Sequence, residues 1–535
     1  MQNIYTVKRC KLLLATAGAL LCGTFARAQS VQLPYQYQFY QKFNADVYST
    51  SNNIHTAFKP LLIDSSLTAR YDSLMNYGAD SNRHGWVYRK LFREHLFDVR
   101  KADYTFYADY LPDLTIGRDF KSKESTWLNT RGFQIGGTIG TKFSFYTSGF
   151  ENQGRFAPYI DDYVRTTRMI PGQAYDRKGG IEQTKDWSYV TAVISYTPIK
   201  QLNFTLGQDK NFIGDGYRSM LLSDYATNYP FFRTTLTLGP IQYTAMWAHM
   251  QDRQAPKFDT FGDSRRKWAA FHYIDWTISN RASLGFFNAY IASEADDEGN
   301  RRGFDVNFIN PVFFASSLGP SGMPGNSISG FNGKYKFLNK HAIYGQLVLD
   351  RVKGREGKAI NSTAWQVGVR GADLFGVRNL NYLAEYNTAQ PYTYIGAQRM
   401  SGYTAFSEPL AHPFGANFRE TLGILNYSAG RFDLQGKMIY AKYGLDEAGT
   451  LDNYGKNILR GFNGDAIPGT STGQGISTSL KYAEATVGFI INPRYNLKFE
   501  VGGILRQQTN RLGTSNTTLL TVGLRSTFRN LYSDF

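Results

Sequence analysis

Apolar and polar side chains alternate with a period of two through most of the chain beyond residue 103. In residues 187–196, Val190, Ala192 and Ile194 fall on one face, and Tyr189, Thr191, Val193 and Ser195 on the other. Leu202, Phe204 and Leu206 alternate with Asn203 and Thr205. Phe232, Thr234, Leu236 and Leu238 run through Gly239-Pro240 into Ile241, Tyr243, Ala245 and Trp247. This alternation predicts strands with two unlike faces. Tight turns join further pairs: Asn280-Arg281 links 273–278 to 284–291, Asn339-Lys340 links 334–337 to 342–350, Gly430-Arg431 links 422–428 to 432–440, and Asn492-Pro493-Arg494 links 484–491 to 495–505.

Long polar connections at 152–186, 208–229, 293–330, 387–419 and 442–479 alternate with these tight turns. A transmembrane antiparallel β-barrel has that asymmetry, with short turns at the periplasmic end and long loops outside. The expected fold is therefore all-β, a barrel of about 18 strands, closure favouring an even number. Counting 103–110 and 113–118 as separate strands would make nineteen. A soluble propeller would repeat every roughly 40–50 residues, and no such repeat is visible.

Two earlier segments change period. Residues 65–77 place Leu67, Tyr71 and Leu74 on one helical face, and residues 86–97 bring Tyr88, Leu91, His95 and Leu96 close to another. They predict a small helical element, either packed at or in the barrel end or standing as an exposed hairpin. The last strand sets Leu520, Val522, Leu524, Ser526 and Phe528 on one face and leads to Phe535. An aromatic final residue is a feature that barrel-insertion machinery reads.

The first residues point to export. Lys8, Arg9 and Lys11 precede an apolar run from Leu12 to Phe25, and Ala26-Arg27-Ala28 offers a cleavage site, so 1–28 reads as a signal peptide. That run is shorter than the roughly 20 residues a helical span needs. Cys22 lacks the small residues that a lipoprotein signal requires before it, since Leu20 and Leu21 stand there. Both cysteines, Cys10 and Cys22, fall in the discarded peptide, which excludes disulfides and thiol chemistry in the mature chain. The remainder divides into an N-terminal extension, 29–102, a possible plug, and a barrel, 103–535. Removing Lys8, Arg9, Lys11 and Arg27 lowers the net charge from +16 to +12. The 37 Tyr, 38 Phe and 7 Trp, with a mean hydropathy of −0.38, suit a barrel in which only alternate residues meet lipid and aromatics girdle both interfaces.

Catalytic patterns are missing. There is no HExxH, no paired-cysteine metal motif, no GxxxxGK[ST] loop and no G-x-S-x-G elbow, so no enzyme activity, metal or cofactor is expected. Gly214-Asp215-Gly216 lacks the third glycine of a nucleotide loop. Acid pairs such as Asp161-Asp162 and Asp296-Asp297-Glu298 read as solvated loop charge, although such pairs could suit glycoside hydrolysis or calcium. Arg165, Arg168, Arg177, Lys178 and Lys185 crowd one long loop, with Arg265-Arg266-Lys267 and Arg301-Arg302 in others. Cationic loops would attract lipid phosphate and acidic surface glycans, or simply stay hydrated. Tyr159, Tyr163, Tyr175, Tyr217, Tyr225, Tyr229, Tyr392 and Tyr394 lie in these loops, where a tyrosine ring can stack on a sugar or serve as interface girdle.

The stretch Gly207-Gln208-Asp209-Lys210-Asn211-Phe212-Ile213-Gly214-Asp215-Gly216-Tyr217-Arg218-Ser219-Met220-Leu221-Leu222-Ser223-Asp224, continuing to Asn228-Tyr229-Pro230-Phe231-Phe232, resembles the Wzi-like capsule-assembly family of outer-membrane proteins, in its Bacteroidetes branch, which carries a RemB-like gliding-motility label. Supporting segments are Arg89-Lys90-Leu91-Phe92-Arg93-Glu94-His95-Leu96, Asn129-Thr130-Arg131-Gly132-Phe133, Phe150-Glu151-Asn152-Gln153 and Asn307-Phe308-Ile309-Asn310-Pro311-Val312. The resemblance implies an 18-stranded outer-membrane barrel whose N-terminal helices occlude the periplasmic end, and a lectin-like hold on exported polysaccharide without catalysis. It implies Asp209, Lys210, Asp215, Tyr217, Arg218 and Asp224 as a polysaccharide-binding centre, with Asn310 nearby by analogy. The bland reading is that Gly214 and Gly216 shape a turn while Arg218 and Asp224 pair to brace an inward-folded loop. Expected partners are surface polysaccharide, lipopolysaccharide, the outer membrane and the barrel-insertion machinery, with no nucleic acid. A gliding-motility or adhesion component and a diffusion channel are the competing functions.

Overall fold

A computed structural model of the chain describes residues 31–32, 34–63, 65–77, 85–255, 265–295, 300–314, 325–353, 359–450, 452–462, 471–526 and 528–535. The signal-peptide segment 1–28 lies outside them. Eighteen antiparallel strands close into one barrel. They are β1 (Tyr104–Asp119), β2 (Glu124–Ile139), β3 (Phe143–Arg155), β4 (Lys185–Ile199), β5 (Leu202–Asp209), β6 (Tyr229–Leu238), β7 (Ile241–Asp252), β8 (Arg265–Thr277) and β9 (Ala282–Ser293), followed by β10 (Gly325–Phe337), β11 (His341–Lys353), β12 (Ala359–Gly371), β13 (Leu380–Ala389), β14 (Phe418–Ala429), β15 (Phe432–Leu445), β16 (Ile476–Asn492), β17 (Leu497–Asn510) and β18 (Gly513–Ser526). Each pairs with its sequence neighbour, and β18 returns to β1 with Leu519 opposite Asp119 and Arg525 opposite Asp113. Arg525 staples that seam from inside, meeting Asp113 at 3.0 Å and Glu500 of β17 at 2.7 Å.

The strand count of nineteen resolves at β1. Residues 104–110 and 113–118 belong to a single strand that runs through Pro112, and Asp103 lies just before it. On one edge its residues 105–108 pair with a short strand, Phe97–Arg100, and its residues 113–119 pair with β18. Pro112, which has no N–H to give a ladder, falls between these two partners.

The alternation is inside-out relative to a soluble protein. Ile116, Met438 and Leu520 point outward and are exposed, while Asp109, Asp113 and Asp119 point inward and are buried. An apolar band facing lipid around a polar interior is the signature of a transmembrane barrel. The interior is not a water-filled tube, however. Segment 34–63, the β5–β6 loop (210–228), the β13–β14 loop (390–417) and residues 528–535 all fold into it and pack as a protein core.

At the tight-turn end, the helical turn Tyr37–Tyr40 and the 3-10 turn Gln41–Phe43 that follows carry Phe39 and Phe43 into a cluster with Leu67 and Met75 of helix α1 (Ser65–Met75). Helix α2 (Trp86–Phe92) buries none of its residues and sits at the rim, where Asn492 Nδ2 donates to the carbonyls of Lys90, Leu91 and Glu94. This helix stops five residues before the expected Phe97. His95 is claimed instead by Asp109, at 2.6 Å, which also accepts the amide of Leu96 at 2.9 Å. The occlusion at this end therefore comes mainly from 34–63 rather than from the two helices read in the sequence. Phe58–Lys59 pairs with Phe212–Ile213 to make a two-stranded sheet inside the lumen, joining this segment to the β5–β6 loop.

The last strand ends at Ser526, and the residues beyond do not prolong it. Phe528 packs on Phe39, with ring centroids 5.3 Å apart, and Phe535, partly buried, packs on Tyr163 at 4.7 Å on the luminal side. Thus neither Phe528 nor Phe535 is displayed on the strand, and the folded barrel keeps the terminal aromatic inside.

Candidate functional site

The β5–β6 loop leaves the end of β5 and drops into the barrel, so that residues 210–228 are buried throughout. Gly214-Asp215-Gly216 makes the closest approach to the wall. The amide of Tyr217 donates to Glu385 Oε1 at 2.6 Å, and that of Arg218 to Glu385 Oε2 at 3.3 Å. A Cβ on Gly216 would collide with the same carboxylate. Successive amides thus cradle an anion, as a phosphate-binding nest does, but the anion is a side chain of β13.

Asp215 is held from three directions. Tyr48 Oη donates to Oδ1 at 3.0 Å and Thr56 Oγ1 at 2.5 Å, both from segment 34–63, and Lys334 of β10 lies 3.5 Å away. Arg370 of β12 donates to its backbone carbonyl. Arg218 is 2% exposed and spans Asp534 at 3.4 Å and Glu420 of β14 at 3.3 Å, with a further bond to the Asp534 carbonyl at 2.8 Å. Tyr217 Oη donates to Asp534 at 2.7 Å, and Lys437 of β15 meets Asp534 and Glu484 of β16, each at 2.8 Å. Asp224 accepts from Asn530 and Tyr532, each at 2.6 Å. Lys210 Nζ donates to the carbonyls of Gly172 (2.5 Å) and Asp224 (2.7 Å), and Asp209 takes the amide of Lys210 at 2.8 Å.

The six loop residues read from the sequence are thus brought into one region, and five of them, Lys210, Asp215, Tyr217, Arg218 and Asp224, are buried there; Asp209, at the end of β5, is partly exposed. Their partners differ from the expected pairing: Arg218 meets Asp534 and Glu420, not Asp224. Glu385, Glu420, Lys437 and Asp534 complete the network and were not singled out in the sequence. Their one signal was position, and only for Lys437, an ionisable residue in the strand predicted at 432–440; Glu385 and Glu420 fall outside the strands named from the alternation.

Asn310 is not part of this cluster. Residues 300–314 run down the outside of the barrel, where Phe308 packs on Ala270, Ala292 and Tyr290. These share the outward face of β8 and β9 with exposed Trp276. Trp247 Nε1 donates to the Phe308 carbonyl at 3.2 Å, while Asn310 is exposed and accepts the amide of Val312 at 3.0 Å. The strap covers His272 and Asn288, two fully buried polar residues on a wall that would otherwise face lipid.

Burial raises the cost of ionising Asp215, but the ammonium groups of Lys334 and Lys59, the Thr56 hydroxyl and Arg370 more than offset it and hold its pKa below the usual carboxylate range. Asp534 is likewise pushed up by burial and drawn down further by Arg218 and Lys437. An acid whose folded pKa is depressed contributes stability that is present above its unfolded value, about 3.9, and is lost as pH falls through the folded value. The loop is therefore expected to stay protected from protease from neutral pH down to about 4, and to loosen only in stronger acid. Limited proteolysis across a pH series tests this, and cleavage within 210–228 already at pH 5 would contradict it.

Above the lumen, the β3–β4 loop forms helix α3 (Pro158–Thr167). Most of its basic residues are neutralised locally. Lys185 and Arg165 share Asp161, at 2.6 and 2.8 Å, Arg177 meets Glu151 and Asp186, and Lys178 meets Glu182. Of the eight loop tyrosines, Tyr159, Tyr217, Tyr225, Tyr229, Tyr392 and Tyr394 are buried against protein, and Tyr163 and Tyr175 remain partly open.

No family model matches the chain, and no curated protein does. Among solved structures it is similar to Wzi of Escherichia coli, described as an outer-membrane protein involved in group 1 capsule assembly and a carbohydrate-binding β-barrel, with 12% identity over 92% of this chain and 99% of that one and a TM-score of 0.55. OprD of Pseudomonas aeruginosa gives 9% identity over 78% and 94% of the two chains, with a TM-score of 0.42. A BenF-like porin of Pseudomonas fluorescens gives 9% over 81% and 100%, with a TM-score of 0.43. At such identity the likeness to Wzi is one of architecture, and the chain has the fold of an outer-membrane β-barrel.

Proposed function

We propose that this chain is a non-catalytic outer-membrane barrel that binds or organises exported surface polysaccharide, serving as an attachment platform for capsule or exopolysaccharide. The observation that carries this reading is the filled lumen. Barrels of 16–18 strands normally leave an aqueous channel, whereas here Asp215, Arg218 and their partners bolt a loop across it. A barrel closed in this way works through its long-loop surface. The carbohydrate-binding description of Wzi supports the ligand class. In this reading Lys210, Asp215, Tyr217, Arg218 and Asp224 hold the platform in shape and do not touch sugar. Lipopolysaccharide would surround the outward apolar band, and the insertion machinery would meet the chain before its last residues fold inward.

A strain lacking the chain is expected to make normal amounts of polysaccharide but to shed most of it into the medium. Full retention on the cell surface would overturn the reading. The motility or adhesion role rests on the resemblance of the loop motif alone, and loss of spreading with normal retention would favour it.

A further inference from the structure

Above the lumen, three loops enclose an open groove of about 580 Å³. Arg165 and Arg168 reach it from the end of α3, Tyr175 from the two-residue strand Ala174–Tyr175, Arg253 from the β7–β8 loop and Arg399 from the β13–β14 loop. The groove rests on anchored parts. Arg399 is clamped by Asp252, Nε to Oδ2 at 2.7 Å and Nη2 to Oδ1 at 3.1 Å, and Gln254 Nε2 donates to the Thr166 carbonyl at 2.9 Å, tying two of the loops together.

Two of its cations are left without an acid. Arg168 and Arg253 have no carboxylate partner among the described residues, whereas Arg165 and Arg399 each have one. Arg253 lies over the Tyr175 ring, 5.1 Å from its centroid. Arg168 occupies the left-handed position after α3, at φ 63°, where glycine or asparagine is usual. An arginine kept there costs backbone energy and sets its guanidinium at the groove instead of continuing the helix.

We infer that this groove binds carboxylate-bearing sugar units of an anionic polysaccharide, with Arg168 and Arg253 as the carboxylate contacts and Tyr175 as the flat surface beside them. The inference rests on the platform reading above and assigns its ligand class and site. A guanidinium pairs with a planar carboxylate through two parallel bonds, and a tyrosine ring can lie against the C–H face of a sugar. A uronate offers both features in one residue. Lipid phosphate would suit the charge, but not the location. Asp252, which holds Arg399, is on the inward face of β7, and α3 packs on luminal Phe535. The groove thus lies over the lumen, away from the lipid-facing wall.

The test uses the full-length barrel in detergent micelles with three probes: polygalacturonate, its methyl ester, and vesicles containing lipid A. The intact chain is expected to bind polygalacturonate well above the ester. Arg168→Ala with Arg253→Ala should weaken polygalacturonate binding at least about tenfold, the value of a single charge-assisted bond, and Tyr175→Ala should weaken it less. Both sets of side chains are at the surface, and an unchanged heat-dependent gel shift would confirm that the variants are folded. Unchanged polygalacturonate binding in the double variant, or equal binding of acid and ester, would overturn the inference and leave the platform reading standing. Loss confined to lipid A vesicles would overturn it in favour of a lipid headgroup. Absence of binding to the acid and the ester alike, together with full polysaccharide retention in the strain lacking the chain, would remove both.

Discussion

Arg218→Met is expected to destabilise the folded barrel by about 3–5 kcal/mol, the usual cost of removing one partner from a buried ion pair. The side chain is enclosed, and its removal leaves Asp534 with Lys437 and the Tyr217 hydroxyl, while Glu420 keeps His412 and Asn387 as close partners. The loss should come from stranded charge rather than from lost packing, since methionine fills similar space. A further change of Glu420 to Gln in the same chain should therefore recover part of the stability, because the uncompensated carboxylate is gone. Urea unfolding followed by tryptophan fluorescence reads both steps. A single variant within 1 kcal/mol of the parent, well under the usual cost, would mean that the network is not what holds the loop in place.

Much of this architecture could be read from periodicity. The strands around 187–206, 232–247 and 422–440 and their tight turns fall where the alternation placed them, because each strand has one lipid-facing side and a one-residue slip would reverse it. The distinctiveness of 207–224 was legible as well, and the glycine at 216 has a definite physical reason in the approach of Glu385. What lay hidden was the content of the lumen. An inward polar face looks the same in sequence whether it meets water or protein, so nothing set Glu385, Glu420 and Lys437 apart from other polar residues. Asp534 could not be placed because a chain that turns back after its last strand leaves no periodic trace.

The wall under the strap is a different case. His272 and Asn288 occupy outward positions on β8 and β9, where polar side chains are costly in lipid, and that mismatch was a usable sign that something covers them. The arginine groove shows the reverse limitation. Its residues come from three separate loops, and the crowding of Arg165, Arg168, Arg177, Lys178 and Lys185 in one loop pointed to the right region. Only the fold separates the cations already paired, such as Lys185 and Arg177, from Arg168, which meets no carboxylate among the described residues.

The closed lumen is the claim on which the rest depends, and ion current across a planar bilayer tests it most directly. Two chains are compared: the intact barrel, and one in which residues 210–228 are replaced by a short Gly-Ser linker. The replacement empties the part of the lumen that this loop fills, while segment 34–63 keeps its own ties to the wall, His55 to Asp275 and Gln41 and Asn44 to Arg370, so a gap should open in a tube wide enough to conduct. The intact chain is expected to give no steady conductance and the shortened chain to give discrete open channels. Steady channels from the intact chain would contradict a closed platform and make the protein a pore.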